Sequence, residues 1–300
     1  MIRPLQPGDR IALIAPSSPF SERPFQEACA AVEGEGYRLS PGRALFRRKG
    51  YLAGEESERA QDLIDAILDP EVAAVFCVRG GYGAGRLLPW LPFQALRGSR
   101  KIFLGYSDVT FLHIAFHQRM AWTTFHGPNF IVDAANDGKQ ILRDALASLR
   151  GESPFTWSLD GVGARILLPG AASGRLIGGN LTCLVHLLGT PYFPDLEGAL
   201  LLIEDRGEAL YRLDRHLNHL KLAGVLPKLA ALILGDFRDC GEISAVWSMA
   251  AEYARPFRIP VVAGLPFGHG ASNEVIPLGA TYRLNTREGT LKILEHPFSK

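Results

Sequence analysis

Short apolar segments alternate with amphipathic helical patterns through the first half of the chain. RIALIAP, VAAVFCV and KIFLGY are each long enough for one buried strand, and helical patterns such as ERAQDLIDAILDP lie between them. Such an alternation favours a parallel sheet with helices on both faces. It therefore predicts an α/β fold for this part of the chain.

The pattern changes between about residues 150 and 175. This segment is rich in Gly, Ser and Pro and has no sustained helical stripe, so it predicts a crossing between domains or an irregular β segment. Further strand patterns follow, together with a helix whose core-facing stripe is Leu210, Leu213, Leu217 and Leu220, with Gly224 beyond its end. We expect one domain over 1–150, a crossing over 151–175 and a second domain over 176–300.

Composition excludes several classes of partner. The 32 basic side chains nearly balance the 31 acidic ones, which argues against a surface for nucleic acid or anionic membranes. The N-terminal apolar run, 11–15, is too short for a signal segment or a membrane span. Four widely spaced cysteines without a CxxC motif are expected to be reduced and mainly buried, as in a cytoplasmic protein.

Ser107 stands where a buried strand pattern, 101–106, turns directly into a helical one. One interpretation is a helix N-cap, since serine accepts hydrogen bonds from the first turn of a helix. The other is a nucleophile on a tight elbow, although Val109 replaces the second glycine of the G-x-S-x-G motif. This stretch alone leaves both interpretations open and favours the cap.

A nucleophile would need donors for an oxyanion. The backbone N–H of Asp108 lies at the expected start of the helix, where it has no helical partner. A second donor could come from the glycine-rich loop RGGYGAGR, 79–86, because glycine lets the main chain approach a ligand closely. The same loop could instead cradle a phosphate or form a plain tight turn, and it lacks a complete nucleotide-binding motif.

Two histidines are candidates for a general base. His269 lies between two glycines after a predicted strand, and α/β proteins place their sites beyond the carboxyl ends of strands. His126 in FHGPN is the second choice, since its neighbours indicate an exposed loop. His113 and His117 are four residues apart but lack the glutamate of H-E-x-x-H, which favours ordinary helix histidines over a metal site.

Glu204 and Asp205 end the apolar run of LLLIEDRGE and are the candidate orienting acids. Asp205 fits better as an N-cap for the following helix, which leaves Glu204 to face a site. A triad of Ser107, Glu204 and His269 and a purely structural role for the same residues are both compatible with the pattern.

Seven motifs in chain order resemble those of one peptidase family: APSSP, RGGYG, GYSDVT, HGP, GGNLT, IEDRGEALYRLDRHLNHL and GLPFGHG. These motifs, which span about residues 10 to 280, resemble those of the LD-carboxypeptidases. This serine peptidase family comprises muramoyltetrapeptide carboxypeptidases and the related microcin immunity proteins. The resemblance implies an N-terminal Rossmann-like parallel sheet and a C-terminal β-rich α/β domain.

The resemblance also implies roles for individual residues. Ser107 would be the nucleophile, His269 the base and Glu204 the acid that orients it. The backbone N–H groups of Asp108 and Gly81 would form the oxyanion hole. Asn180, in the GGN motif, would contact the substrate.

The implied reaction removes the terminal D-alanine from murein tetrapeptide during cell-wall recycling in the cytoplasm. It needs no metal or other cofactor, and family members commonly form homodimers. One alternative is an immunity-type hydrolase that cleaves an aminoacyl or peptidyl nucleotide. Another is a non-catalytic module that binds a small ligand. The sequence does not distinguish diaminopimelate from lysine at the third peptide position.

Overall fold

The computed structural model describes residues 2–132 and 138–298. The strands are β1 (Arg10–Ile14), β2 (Arg38–Pro41), β3 (Val72–Cys77), β4 (Ile102–Gly105), β5 (Thr124–His126), β6 (Thr156–Ser158), β7 (Arg165–Leu168), β8 (Ala171–Asn180), β9 (Leu200–Arg206), β10 (Ala231–Arg238), β11 (Val261–Ala263), β12 (Ile276–Leu278), β13 (Thr281–Asn285) and β14 (Thr290–Ile293). The α-helices are α1 (Glu22–Gly34), α2 (Glu56–Leu68), α3 (Phe93–Leu96), α4 (Thr110–Met120), α5 (Gly138–Leu149), α6 (Leu181–His186), α7 (Leu210–Leu222) and α8 (Ile243–Ala254). Short 3-10 turns cover Ala84–Trp90, Ser107–Val109, Leu226–Lys228 and Arg255–Phe257.

The chain divides into two compact units. The first comprises Met1–Ser153, Glu274–Ile276 and Pro297–Lys300, and the second comprises Pro154–Asn273 and Pro277–His296. Residues 154–175, where a crossing was expected, contain β6, β7 and the first half of β8. These strands belong to the sheet of the second unit.

The first unit is built on a sheet of order β12-β5-β4-β3-β1-β2, in which β2, β1, β3, β4 and β5 pair in parallel. Nearly every residue of β1, β3 and β4 is buried, as expected for strands covered on both faces. The strand order reverses between β1 and β3. Helix α1 packs against α5, whereas α2, α3 and α4 form a second packed group, which is the arrangement that right-handed crossovers on either side of β1 produce.

The second unit has a larger mixed sheet of order β6-β14-β13-β8-β9-β10-β11-β7. Strands β8, β9, β10 and β11 pair in parallel at its centre, and the outer strands pair antiparallel. The predicted fold class is confirmed: an α/β protein with an N-terminal parallel sheet flanked by helices and a C-terminal part rich in strands.

The predicted stripe of the leucine-rich helix is confirmed for three of its four leucines, whereas Leu210, in the first turn, is exposed. Leu213, Leu217 and Leu220 are buried on one side of α7, and Gly224 follows the helix with φ +70°. The left-handed conformation at that position explains the glycine. All four cysteines are free thiols, and three of them are buried. In the described ranges, none of the helices is both long and apolar enough to cross a membrane.

Truncation of the buried leucine of α7 should destabilise the protein. We expect Leu217→Ala to lower the free energy of unfolding by about 2–5 kcal/mol, because the lost methyl groups leave a cavity. The matched control is Leu222→Ala on the same helix, where the side chain is 76% exposed and the cost should be below about 0.5 kcal/mol. Urea denaturation of both variants measures the difference, and equal costs would contradict the assigned face of α7.

Candidate active site

Three loops follow the carboxyl ends of β1, β3 and β4 and lie together in the first unit. The backbone N–H of Ser18 donates to the carbonyl of Gly80 at 3.3 Å, which joins the first loop to the second. A Cβ on Gly80 would lie 2.9 Å from the Cβ of Ser107, so the second loop packs directly on the third. Because the strand order reverses between β1 and β3, this is the edge of the sheet where open α/β folds bind ligands.

Ser107 has the left-handed conformation, with φ +66°. It is the first residue of the 3-10 turn Ser107–Val109, and α4 begins only at Thr110 with Val109 in the N-cap position. The serine is therefore not the N-cap of α4. A non-glycine residue in a sparsely populated conformation costs about 1–3 kcal/mol and is typical of functional sites. This backbone matches a strained elbow between a strand and a helix.

The carboxylate of Asp108 joins the same three loops from inside the unit. Its Oδ2 accepts a hydrogen bond from Ser17 Oγ at 2.6 Å and another from the backbone N–H of Ala84 at 2.7 Å. Burial raises the pKa of the Asp108 carboxyl, while these donors and the nearby Arg59 oppose the rise. The side chain after the serine is thus a structural tie, a role that the sequence did not reveal.

Arg59 supports this tie from α2. Its guanidinium donates to the backbone carbonyls of Pro16 and Gly83, one in each of the first two loops, and Nε donates to Gly54 at 3.3 Å. The side chain is buried, and this desolvation lowers the pKa of its guanidinium. An arginine that binds carbonyls of two loops holds both in place.

The glycine loop is shaped by a close approach to Ser18. Gly81 has φ +110°, and a Cβ there would lie 2.4 Å from Ser18 Oγ. The same hydroxyl accepts the backbone N–H of Tyr82 at 3.1 Å. Among the residues that the structure describes, neither Gly81 nor Asp108 donates its backbone N–H to a hydrogen bond. Within this part of the chain, both N–H groups are therefore available as donors to an oxyanion.

His113, on α4, is one of the histidines of the first unit. His113 is a core residue, as expected: Nε2 lies 2.8 Å from the Gly105 carbonyl and Nδ1 lies 2.8 Å from Thr124 Oγ1. The carbonyl can only accept, so Nε2 carries the proton. Burial lowers the pKa of the His113 imidazole to about 4.

The expectation of an exposed loop around His126 was wrong. His126 ends β5 and is fully buried, and Asn129 is buried as well. The chain after β5 runs beside the end of β3, where Phe130 and Ile131 donate their N–H groups to the carbonyls of Cys77 and Val78. Glycine and proline thus mark a change of chain direction inside the unit rather than at its surface.

In the second unit, the candidate base and the candidate acid are hydrogen-bonded. His269 Nδ1 lies 2.6 Å from Glu204 Oε2. Glu204 is fully buried at the end of β9, and His269 is 9% exposed. Burial raises the pKa of the Glu204 carboxyl, and the bond to His269 opposes the rise. With Nδ1–H directed at the carboxylate, the lone pair of Nε2 is the position that can accept a proton.

The backbone beside His269 must be glycine. Gly268 has φ +114°, and a Cβ there would lie 2.7 Å from Glu204 Oε2. Its N–H donates to Asn273 Oδ1 at 3.0 Å, which closes the loop after the histidine. The first glycine of GHG therefore lets the loop approach the Glu204 carboxylate closely.

The expected role of Asp205 was partly wrong. It was expected to cap the helix that follows it, but that helix begins at Leu210 with Ala209 as its N-cap. Asp205 instead accepts the N–H and the hydroxyl of Thr182, at the start of α6, and the amide of Asn180 at 2.9 Å. Parallel pairing of β8 with β9 brings these residues together, which the local sequence does not show.

Asn180 is the N-cap of α6. Its Oδ1 accepts the N–H of Cys183 at 3.0 Å, and its side chain is largely buried. This structural role accounts for the asparagine of the GGN motif. Contact with a substrate stays a prediction.

Asp236 is a further acid near this pair that sequence reasoning missed. Burial raises the pKa of its carboxyl to about 6, and the neighbouring Glu204 adds to the rise, while the Gly270 N–H and His269 oppose it. It ends the apolar run of LAALILGDF, so the positional argument applied to Glu204 would have found it. Within the described ranges, no group of three or more His, Cys, Asp or Glu side chains has an arrangement that could hold a metal ion.

Comparison with known proteins assigns the chain to a family. Residues 11–127 match the model of the LD-carboxypeptidase N-terminal domain, and residues 173–284 match that of the C-terminal domain, both of peptidase family S66. A probable murein peptide carboxypeptidase of Bacillus subtilis is 38% identical over 295 residues, which are 96% of this chain and 92% of that protein. The chain belongs to the LD-carboxypeptidase family.

Two further relatives bear on what this family member does. The murein tetrapeptide carboxypeptidase of Pseudomonas aeruginosa is 36% identical and covers 92% of this chain and 93% of its own length. The solved structure of MccF in complex with glutamyl sulfamoyl guanosine is 25% identical and has a TM-score of 0.89, covering 100% of this chain and 99% of that one. This member of the LD-carboxypeptidase family is thus similar both to a murein tetrapeptide carboxypeptidase and to a microcin immunity protein.

Loss of the Ser17 hydroxyl should destabilise the first unit. Ser17→Ala removes one of the donors to the buried Asp108 carboxylate, and a hydrogen bond to a charged group contributes about 1.5–3 kcal/mol. Ser57→Ala on the exposed face of α2 makes the same chemical change without such a contact. Thermal unfolding of both variants measures the effect, and an equal melting temperature for both would contradict the role of the Ser17 hydroxyl.

The Asp236 carboxyl should make stability depend on pH. Its folded-state pKa of about 6 exceeds the unfolded value of about 3.9, so the folded state binds the proton more tightly between these values. Its contribution to the free energy of unfolding therefore falls as the pH rises from about 4 to 6. The free energy of unfolding of Asp236→Asn should therefore rise relative to that of the wild type as the pH increases from about 4 to 6. Above about pH 7 the difference between the two proteins should stay constant.

Urea denaturation of wild type and variant at several pH values between 4 and 8 tests this expectation. Asp160→Asn, in an exposed turn of the same unit, serves as the control for the loss of one negative charge. A stability difference between Asp236→Asn and wild type that is the same at every pH would contradict it.

Proposed function

We propose that this protein is a serine LD-carboxypeptidase that releases the terminal D-alanine from murein tetrapeptide. The observation that carries the proposal is the 2.6 Å hydrogen bond between His269 Nδ1 and the buried carboxylate of Glu204. A carboxylate that fixes the tautomer of an imidazole in this way is the orienting half of a catalytic triad. The left-handed backbone of Ser107 supports its assignment as the nucleophile.

In the proposed reaction, Ser107 Oγ attacks the scissile carbonyl carbon while His269 Nε2 accepts the hydroxyl proton. The backbone N–H groups of Asp108 and Gly81 stabilise the oxyanion. His269 then gives its proton to the nitrogen of the leaving D-alanine, and an ester to Ser107 remains. Water, deprotonated by His269, hydrolyses the ester and releases the shortened peptide with a new carboxylate.

Glu204 has two tasks in this scheme. It keeps the Nδ1 proton of His269 directed away from the reacting atoms, and it stabilises the imidazolium that forms after proton transfer. Burial raises the pKa of the Glu204 carboxyl, and the bond to His269 opposes this rise. The pair therefore acts as a unit, in which each member stabilises the required state of the other.

The proposal places the reaction in cell-wall recycling in the cytoplasm, with a homodimer as the functional assembly. The names of the relatives in Bacillus subtilis and Pseudomonas aeruginosa support the murein substrate. Free, mainly buried thiols support a reducing compartment. The homodimer rests on the family resemblance alone.

An immunity-type activity is the second candidate. The similarity to MccF, which was solved with glutamyl sulfamoyl guanosine, favours it specifically. Incubation with murein tetrapeptide and, separately, with an aminoacyl sulfamoyl nucleoside distinguishes the two, with the products identified by mass spectrometry. Release of D-alanine supports the carboxypeptidase. Cleavage of the nucleoside conjugate alone would overturn it in favour of the second candidate.

Removal of the nucleophile should abolish turnover without unfolding the protein. We expect Ser107→Ala to lower kcat by about 10⁶-fold, since the triad members act together. The melting temperature should not fall, because the Asp108 carboxylate that holds the elbow keeps its contacts in this variant. Ser57→Ala, at an exposed position of the same unit, should leave kcat unchanged.

Removal of the base should have a comparable effect on kcat. His269→Ala should be far more damaging than His219→Ala, which truncates an exposed histidine on α7 of the same unit. Steady-state release of D-alanine measures all four variants. A Ser107→Ala or His269→Ala protein that cleaves at nearly the wild-type rate would rule out the triad.

A further inference from the structure

Asp236 holds the loop that carries His269 on both sides of the histidine. Its backbone N–H donates to the carbonyl of Phe267 at 2.8 Å. Its carboxylate Oδ2 accepts the backbone N–H of Gly270 at 3.1 Å. Phe267 lies two residues before His269 and Gly270 lies one residue after it, so one residue of β10 fixes both ends of this short stretch.

A β-bulge in β10 puts Asp236 in this position. In the register with β9, Leu234 pairs with Ile203 and Phe237 pairs with Asp205. Two residues of β10, Gly235 and Asp236, therefore stand opposite a single residue of β9, which is Glu204. Bulges redirect side chains and are common beside active sites.

Close packing shows that the loop fits against the bulge without spare room. A Cβ on Gly235 would lie 2.2 Å from the Phe267 carbonyl oxygen, and a Cβ on Gly270 would lie 2.1 Å from Asp236 Oδ2. Glycine at both positions thus permits the two hydrogen bonds of Asp236. The loop and the bulge are complementary in shape as well as in hydrogen bonding.

We propose that Asp236 is a positioning residue for the base of the reaction. It keeps the backbone of His269 where the ring reaches Glu204, and it touches neither substrate nor reacting atoms in this role. The inference rests on the proposed function for His269 itself. Two further contacts help: the bond of Gly268 N–H to Asn273 Oδ1 at 3.0 Å, and that of Arg238 Nη1 to the His269 carbonyl at 3.4 Å.

The expected consequence is a loss of rate rather than of binding. Misplacement of a catalytic group by about 1 Å can lower the rate by about 10²-fold. We expect Asp236→Ala to lower kcat by about that factor and to leave KM within about twofold of the wild type. Asp236→Asn should recover most of the rate, because its amide oxygen can still accept the Gly270 N–H. Asp160→Asn is the control for the removed charge.

A double-mutant cycle tests the contact directly. Gly270→Ala alone should lower kcat, because its Cβ would collide with the Asp236 carboxylate. In the Asp236→Ala background the collision partner is absent, so Gly270→Ala should cause little further loss. Additive losses in the double mutant would overturn the proposal, since residues without a shared contact behave additively.

Hydrogen–deuterium exchange supplies a readout that does not depend on turnover. Peptides covering 265–273 should exchange faster in Asp236→Ala than in the wild type, while those of α7 should not change. Exchange that is unchanged, or a wild-type kcat in Asp236→Ala, would overturn the positioning role. A loss of kcat explained entirely by unfolding at the assay temperature would overturn it as well.

Failure of the proposed function gives a different pattern. In that case wild-type protein releases no D-alanine, or Ser107→Ala releases it as fast as the wild type. The exchange experiment then still decides whether Asp236 holds the His269 loop.

Discussion

The first unit depends on a buried carboxylate. Asp108 belongs to the elbow after β4. Its Oδ2 accepts hydrogen bonds from Ser17 Oγ, in the loop after β1, and from the Ala84 N–H, in the loop after β3. Arg59 adds bonds to carbonyls of the same two loops. Ionised groups are costly to bury unless they are paired and hydrogen-bonded, so these contacts form a set whose members require one another. These contacts fix Asp108, and so they hold the preceding residue, Ser107, in its left-handed conformation.

The second unit has a comparable constraint at Glu204. Its carboxylate is fully buried and is stabilised by His269, while its neighbour Asp205 turns the other way to bind the start of α6. Two adjacent acids on a strand point to opposite faces, which lets Glu204 bind His269 while Asp205 binds the start of α6. The bulge opposite Glu204 then brings Asp236 to the loop of the histidine. Strand pairing, rather than any local motif, creates this arrangement.

Much of the fold and several candidate residues could be predicted from the chain itself. Apolar runs such as 72–78 gave the buried strands, and the leucine spacing of α7 gave its buried face. His269 and Glu204 were found by their position after strands, and the structure joins them. The same rule would have found Asp236, but a single acid after an apolar run is too common to be selected without knowledge of the loop it contacts.

Periodicity along the chain is enough to predict the alternation of strands and helices and the class of the fold, and the order of the motifs is enough to indicate the family. The partners of the polar residues depend instead on how the chain folds. His126 is buried because the chain after β5 runs beside β3, and Asp205 binds α6 because β8 pairs with β9. Ser17, Arg59 and Asp236 acquire their roles only through contacts between segments that are distant in sequence. Hydrogen-bond partners 34 to 91 residues apart are set by strand order and register, which local patterns do not encode.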